Sequence, residues 1–341
     1  MASPLMARVT EVTERIIRLL ARHLPGYAVR TVERLGEGQD NAAYEVNGEL
    51  VIRQSKIGDS VLHGDSVFHG DAAFREDLAL QEDPALHGDP ALRGDSARPG
   101  DTALRAEAVR REAALLAAVS ELSPLPVPQL IFVDEEAGVL AYRKLPGRPL
   151  NLHPVREPAR LAGPLSDFLS RLHAAPVERM EAFVPRDTYP MSELLEEAEG
   201  HYRDIVAHVP PTARRMVEDF LGTAAPAGPG VLTFCHNDLG SEHLLVDVEA
   251  SAVTGVIDWT DAAIADPAYD LALVYRDLGP EVYGGTLAHY QGRHDDADHE
   301  RVLFYARCAL LEDVAYGLCS GVRSYADAGL AHLGRTFSEH P

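Results

Sequence analysis

The stretch VLTFCHNDLGSEHLLVDVEASAVTGVIDWTDAAIADPAYDLALV, residues 231–274, constrains the chain more than any other. An apolar run from Val231 to Cys235 ends on His236-Asn237-Asp238. Five residues past that aspartate stands His243, and a second apolar run ends on Asp258. Short apolar runs closed by turn-forming residues read as buried strands. The pattern therefore predicts two strands, joined through a short hairpin, that each deliver an acid to one place. Carboxylates and an imidazole gathered there can hold a metal ion and a base together. Phosphoryl transfer needs that arrangement, because its loose transition state calls for in-line positioning and charge neutralisation more than for covalent help.

His-x-Asp also recurs where it carries no such weight. From Ser60 the chain reads SVLHGD SVFHGD AAFRED LALQED PALHGD PALRGD SARPGD TALRAE, with aspartates at 59, 65, 71, 77, 83, 89, 95 and 101. His-Gly-Asp appears in it at His63, His69 and His87. A catalytic base is needed once, in one rigid place, so recurrence at fixed spacing reports a repeat. A six-residue period suits neither a helix nor strand alternation, and Pro84, Pro90 and Pro99 remove backbone donors. A hexapeptide β-helix would bury little, since its apolar positions are single small residues. A calcium-binding ladder would need clustered oxygen ligands that these loops lack. The composition points to a flexible insertion spanning 59–104.

A length of 341 residues suits two lobes, each with its own core. The net charge of -22 excludes nucleic acid as a partner class, because duplex binding draws on Lys and Arg, and it favours cationic ligands. Ten acids and three arginines between Asp59 and Asp101 give the repeat a charge of -7, which leaves -15 elsewhere. No apolar run is long enough to span a bilayer, and no basic-then-apolar leader precedes the first helical pattern. The expectation is a soluble cytoplasmic protein with no membrane partner. Cys235, Cys308 and Cys319 are too few and too scattered for disulfides or a thiolate metal site, and they read as small buried apolar residues.

Before the insertion, Val9, Val12, Ile16, Leu19 and Leu20 recur at helical spacing up to Pro25-Gly26. Strand patterns follow, broken by Gly36-Glu37-Gly38 and by Asn47-Gly48, a strong hairpin signal. After the insertion a helix carries Glu112, and then come a strand, a turn over Glu135 to Gly138, and another strand. The chain leaves that hairpin through Pro146-Gly147, where the boundary between lobes is expected. Helical patterns dominate beyond it, including one with Pro164 in its first turn and an apolar one over residues 301–321.

The chain resembles the aminoglycoside phosphotransferases, from roughly Thr31 to Gly317 without the insertion. CHNDLGSEHLLVD is similar to the branch that carries His rather than Asn five residues past the aspartate, which includes the 2''-aminoglycoside and macrolide kinases. LGEGQDNAAYEV and TGVIDWTDAAIADPAYDLA support the same branch. The resemblance implies a two-lobed α+β protein-kinase-like fold. Residues 1–145 would form a β-rich nucleotide-binding lobe, and 146–341 a mainly helical catalytic and substrate-binding lobe. By position, Asp238 would be the base or hydroxyl-orienting carboxylate, His243 and Asp258 the ligands of Mg2+ or, given the imidazole, Mn2+, and Asp270 a brace for the catalytic loop. Gly36, Gly38 and Asn41 would cover the phosphates of ATP or GTP, with Lys144 in the linker that meets the nucleobase. The third strand offers Arg53, with Lys56 three residues on, where kinases place a lysine, so either is the phosphate-binding cation; Glu112 is its helix partner.

The function so implied is an antibiotic kinase, conferring resistance by transferring the γ-phosphate to a hydroxyl of a cationic aminoglycoside, with Asp261, Asp277 and Glu281 as its carboxylate partners. The same chemistry on a macrolide or a small amino alcohol is the alternative, and a degenerate kinase-fold binding protein is the non-enzymatic one. The intact Asp238, His243 and Asp258 set speaks against degeneracy.

Overall fold

The computed structural model describes residues 4–37, 41–56 and 99–338. Described residues up to 120, with 128–145, cluster as one compact unit, and residues 121–127 with 146–338 as another. Apart from its helical end, the expected repeat insertion lies outside the described residues.

The first unit contains α1 (Pro4–His23), β1 (Val32–Glu37), β2 (Asn41–Val46), β3 (Leu50–Ser55), α2 (Pro99–Leu122), β4 (Gln129–Asp134) and β5 (Val139–Arg143). Its strands form one antiparallel sheet in the order β1-β2-β3-β5-β4. The β2–β3 turn forms where Asn47 (φ 55) and Gly48 (φ 74) enter the left-handed region, which these two residue types tolerate. Asn47 Oδ1 accepts the amides of Arg30 (2.7 Å) and Thr31 (3.1 Å), so the turn also fixes the approach to β1. Leu50 and Ile52 of β3 and Val139 and Ala141 of β5 alternate onto one face, where Ile16, Leu19 and Leu20 of α1 cover them. Helix α2 begins at Pro99, inside the expected insertion. Proline suits a helix start, where amides have no intrahelical acceptor, so the boundary moves from 104 to 98.

The second unit is mainly helical. It holds β6 (Arg148–Pro149), a 3-10 turn (Pro158–Leu161), α3 (Ala162–His173), α4 (Val177–Met180), α5 (Met191–Ile205) and α6 (Pro211–Leu221). There follow β7 (Thr233–Cys235), β8 (Leu244–Asp247), β9 (Ala252–Val256), β10 (Ala263–Ala265), α7 (Pro267–Leu287), α8 (Asp296–Cys319) and α9 (Arg323–Phe337). The strands pair as a β6-β8-β9 sheet and a β7-β10 ribbon. Leu310, Leu311 and Val314 of α8 pack with Val217 and Phe220 of α6, Ile205 of α5 and Leu333 of α9. Each such fully buried side chain contributes roughly 1.5–3 kcal/mol of transfer free energy. Gly147, at φ 105, is required at the unit's start, because a Cβ there would lie 2.1 Å from Thr254 Oγ1. Cys235 and Cys308 are buried, but Cys319, read as buried, is exposed at the end of α8. Among the described residues no helix is long and apolar enough to cross a membrane. A β-sheet unit followed by a helical one is the α+β division that the sequence predicts.

Candidate active site

Register in the small ribbon positions the loop after β7. Cys235 pairs with Ala263 and Phe234 with Ile264, so the chain leaves the ribbon at His236 beside the start of β10. His236 is fully buried, and its ring lies 4.5 Å from that of Trp259. Burial pushes its imidazole down to about 4, so the ring is neutral. Its Nε2 lies 3.0 Å from the Ile257 carbonyl, which can only accept, so Nε2 carries the proton.

Asp270 on α7 anchors this turn. It accepts the amides of His236 (2.9 Å) and Asn237 (2.8 Å) and faces His173 Nε2 at 3.1 Å. Burial alone would raise its carboxyl, yet the hydrogen bond and charge of His173, with the Asn237 amide, hold it below the usual carboxylate range. His173 Nδ1 meets Tyr290 Oη at 2.6 Å. With its amide committed to Asp270, Asn237 sits at φ 63, a left-handed conformation that asparagine adopts readily.

The next residue turns outward. Asp238 is 37% exposed at its side chain, and its main-chain oxygen lies 2.8 Å from His243 Nδ1. A carbonyl only accepts, so Nδ1 bears a proton, and Nε2, the ring nitrogen left for a metal ion, lies 4.0 Å from Asp258 Oδ2. Asp258 is delivered by the β8–β9 hairpin at φ 58, and Ile257 donates its amide to the His243 carbonyl at 3.0 Å. Glu242 joins them, with ligand atoms of Asp238, Glu242 and His243 all within 4.8 Å of one another. Its carboxylate lies back over Gly240, where a Cβ would meet Oε2 at 2.6 Å.

These charges repel one another. Desolvation pushes the Asp238 carboxyl up to about 7, and the negative charges of Asp261, Glu242 and Asp258 add to it against the pull of His243. Desolvation works against charge on His243, but Asp238, Asp258 and Glu242 raise its imidazole to about 9. The set fits a divalent cation. It offers hard carboxylate oxygens and, once an ion displaces the Nε2 proton, one imidazole nitrogen whose ring partner is held by a carbonyl, the usual support of a metal-bound histidine. Such an ion would also relieve the repulsion among the carboxylates. Sequence reasoning missed Glu242, although its place four residues past Asp238 and next to His243 could have marked it.

Two expected acceptor carboxylates are elsewhere. Asp277 is largely enclosed: it accepts from Arg276 Nε at 2.7 Å and from the Ser241 amide at 2.7 Å. It is a structural carboxylate with its bonds already made, not a ligand-binding one. Glu281 is exposed on α7 beyond the break at Gly279 and Pro280 and joins no cluster at the site. Asp261 is exposed and close enough to Asp238 to shift its acidity. A cleft of ≈ 490 Å³ within this unit reaches the same loop; Asp187, Tyr189, Asn237, Tyr269, Tyr305 and Glu312 are among its lining residues. Burial raises Tyr269 well above its ordinary acidity constant, and the charges of Glu312 and Asp238 add to this, so the tyrosine stands within electrostatic reach of both.

In the first unit Gly36 lies in β1 just before its last residue, Glu37, Gly38 lies outside the described residues, and Asn41 opens β2 opposite Ser55. Arg53 of β3 pairs with Glu112 of α2 at 3.1 Å, both largely buried, and Lys56 follows the strand. Lys144 is engaged within its own sheet: its ammonium pairs with Glu45, and its amide donates to the Glu49 carbonyl at 2.9 Å.

Residues 31–305 match the model of the phosphotransferase enzyme family, and the chain belongs to that family. It is 27% identical over 203 residues to viomycin phosphotransferase of Streptomyces vinaceus, covering 58% of this chain and 70% of that protein. The fold is shared with the GDP complex of aminoglycoside 2'-phosphotransferase-IIIa, at 21% identity, TM-score 0.62, and coverage of 95% of this chain and 97% of that one. It is likewise shared with a macrolide 2'-phosphotransferase from Brachybacterium faecium, at 21% identity, TM-score 0.54, and coverage of 96% and 99%. The protein is a phosphotransferase.

Proposed function

We propose that this phosphotransferase moves the γ-phosphoryl group of ATP or GTP, with Mg2+ or Mn2+, to a hydroxyl of a cationic antibiotic of the aminoglycoside kind. In this reading residues 1–145 bind the nucleotide and 146–341 carry catalysis and the acceptor. The observation that carries it is the cleft, which sets carboxylates (Asp187, Glu312) and tyrosine faces (Tyr189, Tyr269, Tyr305) beside the loop that bears Asp238. Ammonium groups are bound by carboxylates through charge-assisted hydrogen bonds, and sugar or peptide rings rest on aromatic faces. Relatives support the choice: viomycin phosphotransferase, and the hygromycin-B 4-O-kinase of Escherichia coli at 23% identity over 164 residues.

The acceptor hydroxyl would attack the γ-phosphorus while the bond to the β–γ bridging oxygen breaks. Its proton passes to an Asp238 carboxylate oxygen, and the nucleoside diphosphate leaves. A carboxyl raised to about 7 is better matched to taking that proton near neutral pH than an ordinary aspartate. His243, Asp258 and Glu242 would hold the metal ion, which when bound neutralises phosphate charge. Gly36, Gly38 and Asn41 would present backbone donors to the phosphates. The Arg53–Glu112 pair supports Arg53, rather than Lys56, as the cation turned to phosphate, since kinases use a strand cation held by a helix glutamate.

A macrolide acceptor is the second reading, favoured by the apolar part of the cleft at Pro190, Met191, Leu194, Pro226 and Leu232. Nucleotide turnover against aminoglycosides, viomycin, macrolides and amino alcohols separates the two. Turnover of a cationic antibiotic, with a KM that rises with salt, is the expected result. Macrolide turnover alone would leave the phosphoryl transfer standing and remove the cationic acceptor.

A further inference from the structure

Helix α7 carries two inward-facing aspartates seven residues apart, the buried Asp270 and the largely enclosed Asp277, and so on one face two turns apart, about 10 Å along the axis. Asp270 holds the amides of His236 and Asn237, at the start of the loop. Asp277 holds the amide of Ser241 at 2.7 Å, directly before Glu242 and His243. Between the two grips lies Asp238.

The second grip is itself tied to the last two helices. Arg276 Nε and Nη2 bind Asp277 at 2.7 and 3.2 Å, and its Nη1 reaches Asp313 of α8 at 2.9 Å. Arg335 of α9 donates to the carbonyls of Arg276 and Asp277 at 2.6 Å each. The need for it is plain: the helical partner of the Arg276 carbonyl would be the amide of residue 280, which is proline and has none. Gly279, at φ 84, supplies the left-handed residue at which α7 breaks, with the Arg335 guanidinium in contact beside it.

We infer that Asp277 is a positioning residue for the metal-binding end of the loop, and that Arg276, Asp313 and Arg335 lock it so that α7 sets the spacing between Asp238 and His243. This rests on the reading of Asp238 and His243 given above. A carboxylate retained in this place only for stability would hold the helices together without fixing Ser241; here the oxygen that takes Arg276 Nη2 at 3.2 Å takes that amide at the shorter 2.7 Å.

The test is Mn2+ titration of the full chain, read by water-proton relaxation, beside steady-state kinetics at a temperature where circular dichroism shows the variant folded. Asp277→Asn cannot satisfy all three donors: with its oxygen in the Oδ2 place its NH2 faces Arg276 Nε, and with the group turned round it faces the Ser241 amide and Arg276 Nη2. It should weaken Mn2+ binding about tenfold and lower kcat by a similar factor, with the nucleotide KM within about twofold. Mn2+ affinity and kcat both within twofold of the parent protein, whatever the thermal midpoint, overturn the inference. Should Asp277→Asn not fold, Arg276→Lys decides. It keeps the charge and loses the fork, so Mn2+ binding about threefold weaker upholds the clamp, and unchanged binding overturns it. His243→Ala separates the two levels. If it weakens Mn2+ binding and Asp277→Asn does not, the clamp alone fails; if it has no effect, the site reading fails and the clamp with it.

Discussion

Two histidine–aspartate pairs flank the same loop and have opposite characters. Behind it, His173 and Asp270 are almost completely buried, and the carboxylate takes three donors and is held below its usual range. In front, His243 and Asp238 are partly open, the aspartate is raised to about 7, and three more acids crowd it. Residue type does not distinguish them; hydrogen bonding does. A buried charge with its bonds made fixes backbone, whereas a charge left among like charges waits for a partner.

The largest expected effect tests the front pair. Asp238→Asn should cost about 10³-fold in kcat, within the range that proton transfer supplies, while the thermal midpoint stays level or rises because a repelled charge is removed. A variant that loses several degrees and little activity would make Asp238 a second brace and erase the contrast. His243→Ala should lower activity 10- to 100-fold and raise the metal concentration needed for what remains. Unchanged metal dependence would remove it from the proposed ligand set.

For the rear pair the order reverses, with stability first. Asp270→Asn leaves His173 and two amides facing an amide group and should destabilise the fold by about 3 kcal/mol, as breaking a buried pair does. Its pH signature follows from the direction of the shift. A carboxyl whose folded constant lies below its unfolded one gives stability that is complete above the unfolded value near ~3.9 and is lost as pH falls through the folded one. The variant should therefore unfold with less dependence on acid below about pH 4. Urea midpoints measured from pH 6 down to 2 check this, and parallel curves for both proteins would contradict the bracing role.

The front pair was legible in the sequence, and the rear pair only in part. His-x-Asp, the later His and the strand-final Asp lie within about twenty residues, so local pattern sufficed, as it did for the Asn47-Gly48 turn and the amphipathic first helix. His173 looks like any helix-ending histidine, and its partner lies 97 residues away. Asp277 was misread for a related reason. In VYRDLGPE it resembles a solvent-facing acid, and nothing in one sequence says that Ser241 and Arg276 close around it. The start of α2 at Pro99 was hidden because proline first signals interruption, and only position makes it a helix opener.

The smallest effects separate acids that a pattern cannot rank. Glu281 and Glu312 are both helical glutamates of the second unit, but Glu281 faces water while Glu312 lines the cleft beside Tyr269. Exposed charges contribute little to a bound ligand because solvent and salt screen them, so Glu281→Gln should leave the KM of a cationic acceptor within about twofold. Glu312→Gln removes a carboxylate from a partly enclosed wall, where a charge-assisted bond is stronger, and should raise that KM about tenfold, or ~1.4 kcal/mol, with kcat nearly unchanged. The split matters more than the size. Uniform binding lost from ground and transition states alike appears in KM alone, whereas a fall in kcat would mean that Glu312 acts through Tyr269 on the Asp238 loop. Equal KM values for the two variants would show that the cleft does not receive the cationic groups, and the apolar acceptor would then be the better reading.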